Sequence, residues 1–189
     1  PVSKDESDTE YLTSMLKNIG NTLSLEQKSE VEKFLRKNED VFSKSNYDLG
    51  RTGLIKHTID TGSNRPFKQQ LQRHPIAHLP IIDENVEEML ASDIIEKSSS
   101  PWASNVVLVR KQDNSLRFCV DYRHLNSLTT KDSYPLPRID TCFDALGGAQ
   151  YFSTLDLRSG YWQVETDPAS ADKTTFVTRK GTFKFKVLA

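Results

Sequence analysis

Within YFSTLDLRSGYWQV, residues 151–164, an apolar run delivers Asp156, a turn containing Gly160 follows, and two aromatic residues, Tyr161 and Trp162, come next. A carboxylate at the end of a core strand is an oxygen donor suited to a hard divalent cation. It is equally suited to capping the turn that follows, and the local pattern leaves both roles open. Lys111 and Arg117 form a second group. One sits in the polar turn KQDNS and the other on the strand returning from it, so both can reach one polyanion or stay as solvated charges on an exposed hairpin. The four histidines, His57, His74, His78 and His124, have no ligand-like grouping. Cys119 and Cys142, the only cysteines, lack CxxC spacing. Neither a zinc site nor a disulfide scaffold is supported, and both read as buried thiols in a reducing compartment. No phosphate-binding loop, dinucleotide fingerprint or nucleophile elbow occurs.

Strand and helix signals place these residues. Tyr151–Leu157 is predicted as a strand with Phe152, Thr154 and Asp156 on one face. Val106–Arg110 and Leu116–Asp121 are β-type runs forming a hairpin; Leu116, Phe118 and Val120 share one face, Arg117, Cys119 and Asp121 the other. A closing hairpin is predicted from Thr174–Thr178, the turn RKG and Thr182–Val187. A first helix is predicted from the Ser24/Gln27 capping box to about Asn38. A second runs from about Ile82 to Ala91, with Asp83 and Glu84 at its N-terminal dipole. A third runs from about Arg138 to Leu146, where Gly147 and Gly148 stop it. Ile94–Glu96 reads as a short strand. Residues 43–80, rich in glycine and proline without sustained periodicity, read as an extended connector with an isolated strand at Leu54–Ile59. The leader PVSKDESDTE is polar and structureless by composition. Phe152 and Trp162 are expected as core aromatics. Helices with antiparallel strands in this order indicate an α+β fold.

A length of 189 residues allows one domain, or one domain with an appended arm. Hydrophobic residues reach 36% against 27% charged, a lean balance in which part of the chain is not core. The net charge of -1 excludes a histone-like polycation, yet it sums -3 over residues 1–50, -2 over 51–96 and +4 over 97–189. Positive charge in the last half is a weak pointer to a polyanionic partner. The longest aliphatic run, Val106 to Val109, is far short of the roughly 20 residues of a membrane helix, and no signal peptide precedes it. A soluble, intracellular chain is expected. It begins at Pro1 and ends at Ala189 directly after a strand-like segment, so both ends read as cut.

YFSTLDLRSGYWQV, taken with SPWASNVVLVRK, LRFCVDYRHLN and KDSYPLPRID in the same order, resembles the reverse transcriptase of gypsy-type LTR retrotransposons. DLGRTGLIKHTIDTG, the Met89–Ser98 pattern and KTTFVTRKGTFKFKVL extend the resemblance from about residue 40 to the end. It implies the fingers and first part of the palm of a right-hand polymerase over 97–189. A polar, acidic connector with one helix (1–50) and an extended segment with a helix (51–96) precede them. The implied activity is RNA-directed and DNA-directed DNA synthesis. A primer attacks the α-phosphate of an incoming nucleotide between two Mg2+ ions, with Mn2+ as the alternative ion.

On that resemblance Asp156 is the first catalytic carboxylate and a metal ligand, with the Leu157 backbone carbonyl beside it. Lys111 and Arg117 grip the triphosphate, and Tyr161 lies under the sugar and excludes a 2′-hydroxyl. Asp121, Arg123, Pro101, Trp102 and Gln163 support the template and the fingers, Trp102 by stacking on a base. Asn105 stands where most relatives carry proline. Two further carboxylates, from a Tyr-or-Phe-x-Asp-Asp turn, complete the metal site in the family; no such motif occurs in this sequence, so the chain alone is expected to be inactive.

The implied partners are an RNA template, a DNA primer/template and deoxynucleoside triphosphates, without a membrane. Ribonuclease H and integrase domains are expected downstream, and a cytoplasmic virus-like particle is the expected location. The competing class is a non-catalytic nucleic-acid-binding remnant or a co-opted retrotransposon-derived module. The reading frame beyond Ala189 discriminates them: Pro-Phe-Gly followed by Tyr-or-Phe-x-Asp-Asp favours the enzyme, a stop or frameshift the remnant.

Overall fold

The computed structural model describes residues 23–189 apart from 46, 151 and 153. The leader PVSKDESDTE, and Tyr151 and Ser153 of the predicted strand, lie outside the described residues. The chain divides into two compact units, Pro1–Leu49 and Gly50–Ala189. In the first, α1 (Leu25–Lys37) starts at the predicted capping box. Gln27 N–H donates to Ser24 Oγ at 3.2 Å, and Ser24 N–H donates to Gln27 Oε1 at 2.9 Å. Such a cap satisfies orphan donors and contributes about 1 kcal/mol. Only Leu35 of this helix is buried.

The second unit is built on a five-stranded sheet ordered β2-β7-β6-β3-β4. Its strands are β2 (Ile95–Lys97), β3 (Ser104–Arg110), β4 (Leu116–Val120), β6 (Phe176–Thr178) and β7 (Gly181–Phe185). All neighbours run antiparallel except β3 and β6. The helix α2 (Leu79–Ala91) buries Ile82, Val86 and Met89, a spacing that keeps them on one stripe, against Ile94, Val106 and the sheet phenylalanines. Phe176, fully buried on the central strand, lies 5.4–5.9 Å from the rings of Phe118, Phe183 and Phe185. Each such buried side chain contributes roughly 1.5–3 kcal/mol through area removed from water. Phe118 and Val120 turn inward as predicted, so the other face of β4 is committed to the opposite side.

Five features differ from expectation. First, α2 begins three residues early, with Pro80 in its first turn, where the missing N–H costs nothing. Asp83 therefore does not serve the helix dipole. It is buried and receives Arg179 Nε from the β6–β7 turn at 3.0 Å, and that hydrogen bond holds its carboxyl below the usual range. Second, the expected isolated strand is β1 (Thr52–His57), and it has a partner: it pairs in parallel with β5 (Val164–Thr166). Third, a short helix α3 (Arg123–Leu128) brings Leu125 against Ile59 and Trp102. Fourth, residues 154–157 form no strand. Strand backbone must find a ladder, and among the described residues none pairs with this segment; Leu155 is 86% exposed and Phe152 is exposed too, not a core aromatic. Fifth, Cys142, on α4 (Ile139–Ala145), is exposed and Cys119 is half-buried, so neither is the buried thiol expected.

Candidate functional site

The β3–β4 hairpin fixes one group of candidates by register. Val109 pairs with Arg117 and Arg110 with Leu116. Side chains alternate along a strand, so Val109, Arg117 and, two residues past Val109, Lys111 lie toward one side while Leu116, Phe118 and Val120 point to the core. The tip is closed by Lys111 N–H donating to the Ser115 carbonyl at 2.8 Å, with Asn114 at φ 65, a left-handed position that asparagine tolerates. Asp113 braces the turn by accepting from Ser115 N–H at 2.9 Å and Ser115 Oγ at 2.6 Å, which holds its carboxyl below the ordinary value. Lys111 and Arg117 line one open hollow with Val109, Arg110, Gln112 and Asp113. Neither cation has an ion pair among the described residues, so both stay available to a polyanion.

At the far end of the same face, Asp121 N–H donates to the Asn105 carbonyl at 2.8 Å. The Asp121 carboxylate takes two guanidinium bonds from Arg123, Nε to Oδ1 at 2.8 Å and Nη2 to Oδ2 at 2.7 Å. Arg123 itself is 90% exposed. The fork geometry depresses the Asp121 carboxyl from 3.8 to about 2. A depressed carboxylate adds stability above its unfolded value and loses it as the pH falls toward the folded value. Between pH 4 and pH 2 the melting temperature of the parent chain is expected to fall more steeply than that of Asp121→Asn. Parallel acid slopes in a calorimetric pH series would exclude this contribution.

Trp102 departs from its expected role. It is 6% exposed and sits edge-on to Phe67 at 5.4 Å, with Leu125 and Ile59 around it. Its ring faces are packed, so it cannot stack on a base; it holds the loop from which the exposed Pro101 projects. The sequence reading missed Phe67, which also lies 4.2 Å from His124. The signal was the alternation of Phe67 and Gln69 with Lys68 and Gln70.

Asp156 and Tyr161 flank a turn. Ser159 adopts φ 43, and Gly160 opens a short 3-10 helix, Gly160–Gln163. A Cβ at Gly160 would stand 3.1 Å from Leu157 Cβ, a tight approach that a larger residue could make only if Leu157 shifted by a few tenths of an ångström. Gln163 Nε2 donates to the Arg158 carbonyl at 2.9 Å, which commits its amide to shaping the turn. Asp156, Leu157 and Tyr161 are exposed. The Asp156 carboxylate has no hydrogen bond or ion pair among the described residues, so it is a free hard oxygen donor. No three His, Cys, Asp or Glu side chains gather as a metal-binding cluster among the described residues. Asp156 therefore fits a divalent ion as one ligand of a set. No hydrogen bond or ion pair among the described residues links this turn to the hairpin cations.

Residues 109–188 match the family described as "Reverse transcriptase (RNA-dependent DNA polymerase)". The chain is 34% identical over 170 residues to the retrovirus-related Pol polyprotein from transposon 297 of Drosophila melanogaster, covering 86% of this chain and 16% of that protein. It is 30% identical over 164 residues to the Pol polyprotein from transposon gypsy of the same organism, covering 84% of this chain and again 16% of the relative. The chain thus spans about a sixth of the length of these relatives. Its fold superposes on the foamy viral protease-reverse transcriptase in complex with an RNA/DNA hybrid, with a TM-score of 0.75 at 19% identity, over 98% of this chain and 24% of that one.

Proposed function

Because this chain belongs to the reverse transcriptase family through residues 109–188, we propose that it supplies the fingers and first part of the palm, 97–189, of an RNA-directed DNA polymerase. A polar connector (1–50) and an extended segment with a helix (51–96) lead into it. The observation that supports the reading is the hairpin face, where Lys111 and Arg117 stand without an ion pair among the described residues on the side away from the core. Two cations held by a rigid hairpin suit a triphosphate, and the guanidinium of Arg117 matches its oxygens in a fork.

Asp156 and the Leu157 carbonyl hold Mg2+, or Mn2+ in its place. When bound, such an ion neutralises charge at the reacting phosphate oxygens. Everything else rests on the chain's own side chains. Lys111 and Arg117 orient the triphosphate. Asp121 keeps Arg123 extended beside the template, Pro101 guides the strand over a loop that Trp102 braces from within, and Gln163 shapes the turn carrying Tyr161. The substrates are an RNA template, a DNA primer/template and deoxynucleoside triphosphates. The parent polyprotein carries ribonuclease H and integrase domains and works in a cytoplasmic particle. No helix among the described residues is long and apolar enough to cross a membrane.

Tyr161 provides a test of the substrate assignment. Its ring is exposed, and a phenol on two torsions is stiff enough to block a 2′-hydroxyl. In the full-length polymerase Tyr161→Ala is expected to raise ribonucleotide incorporation by at least about tenfold relative to deoxynucleotide, the scale of a steric pocket change. Unchanged discrimination between the sugars in single-nucleotide incorporation assays would remove Tyr161 from the sugar site.

A further inference from the structure

Several cations of the second unit face a carboxylate. Lys56 meets Glu165, Arg123 meets Asp121, Arg179 meets Asp83, Lys180 meets Glu87, Lys184 meets Asp172 and Lys186 meets Asp93. Arg65, Lys68 and Arg73 do not. All three are exposed, and none has an ion pair or side-chain hydrogen bond among the described residues. They belong to a stretch, residues 61–82, that contains no carboxylate. Uncompensated positive charge on one stretch of surface creates a potential that attracts a polyanion.

The stretch is anchored along its middle. Gln69 N–H donates to the Ala103 carbonyl and Ala103 N–H to the Phe67 carbonyl, both at 2.9 Å. Asn105 N–H donates to Gln69 Oε1 at 2.9 Å, and Asn105 Nδ2 to the Gln70 carbonyl at 2.8 Å. A proline at position 105 has no N–H for the first of these. Phe67 packs against Trp102 and His124. Phe67 and Gln69 are thus turned inward and Lys68 and Gln70 outward. This anchoring sets the strap beside Pro101, Arg123 and His124.

We propose that residues 65–73 form a phosphate track for a single nucleic-acid strand, with Arg65, Lys68 and Arg73 each meeting a backbone phosphate. Eight residue steps allow a reach of up to about 28 Å, room for each cation to meet a different phosphate of one strand. Contacts of this kind position a strand without reading its bases. The identity of the strand as template rests on the reverse transcriptase reading; the binding itself rests on the charge pattern.

The test is a salt series of fluorescence anisotropy with a labelled 20-nucleotide oligouridylate RNA and the 189-residue chain. The variants are R65Q/K68Q/R73Q and a charge-matched control on α1, K28Q/K33Q/K37Q. None of the six side chains has an ion pair or side-chain hydrogen bond among the described residues, so all three proteins are expected to give the same circular dichroism spectrum. Each phosphate contact contributes about 0.7 to the slope of log K against log salt for a single strand. The strap variant is expected to flatten that slope by about 2 and weaken binding on the order of tenfold or more at 0.1 M salt, while the control keeps the parent slope. Equal slopes in strap variant and parent, an equal change in the control, or no RNA binding by the parent at low salt would each overturn the track. The hairpin assignment is read separately, by nucleotide affinity in K111Q and R117Q. Failure of either therefore leaves the other standing.

Discussion

Asp156→Asn in the full-length polymerase is expected to lower primer extension by at least about a thousandfold with no loss of thermal stability. The kinetic side follows from the ligand's charge. A carboxylate that holds a divalent ion contributes several kcal/mol of transition-state stabilisation, and about 1.4 kcal/mol is a factor of ten in rate. The stability side follows from the structure: the carboxylate is exposed and unbonded among the described residues, so an isosteric amide removes no packing and no hydrogen bond. The alternative role, a cap of the following turn, gives the reverse pattern, a loss of about 0.5–2 kcal/mol in stability with extension retained. Primer extension and calorimetry on the same preparation separate the two. Extension at parental rates would sink the catalytic assignment.

The second large effect is expected at the hairpin. Removing one charge-assisted hydrogen bond to a phosphate costs about 1.5–3 kcal/mol. Lys111→Gln and Arg117→Gln in the full-length polymerase are each expected to weaken nucleotide binding by roughly tenfold to a hundredfold while primer–template affinity stays near parental. Arg117→Lys is expected to recover only part of the loss, because an ammonium cannot reproduce the two-pronged geometry of a guanidinium. Both side chains lie on the outward face of β3–β4, away from the Phe118 and Val120 packing, so the variants are expected to fold as the parent does. Transient-state nucleotide titrations showing unchanged affinity in both variants would move the triphosphate elsewhere.

The elements read most faithfully from sequence were those whose information is local. The α1 cap depends on two side chains three residues apart, and the β3–β4 faces follow from strict alternation across a short turn. Pairings between distant segments were not legible. The parallel β1–β5 contact brings together residues more than a hundred positions apart through a three-residue strand, too short to carry a period of its own. The strand expected at Tyr151–Leu157, where residues 154–157 form none, shows the converse limit. Its composition favours extended backbone, but a strand exists only where a neighbour accepts its hydrogen bonds. Trp102 failed as a stacking platform for a related reason: exposure depends on what else packs nearby, and Phe67, Leu125 and Ile59 reach it from distant parts of the chain. Asp83 looked like a helix-start carboxylate and proved to be the partner of Arg179, because the helix begins a turn earlier than its apolar stripe. At the candidate site, residue types and the hairpin register were readable, whereas the packing around Trp102 was not.

The assignment of Asp156 to a divalent ion and of the hairpin cations to a triphosphate meets in one measurement. Crystals of the full-length polymerase with primer–template and a non-extendable nucleotide, grown with Mn2+, give an anomalous signal that locates the ions independently of the protein phases. The expected result is an ion at about 2.0–2.3 Å from an Asp156 carboxylate oxygen and the Leu157 carbonyl, the range of hard-cation oxygen bonds, with the triphosphate lying against Lys111 and Arg117. Manganese peaks away from Asp156, or a triphosphate that leaves both hairpin cations in solvent, would contradict the assignment.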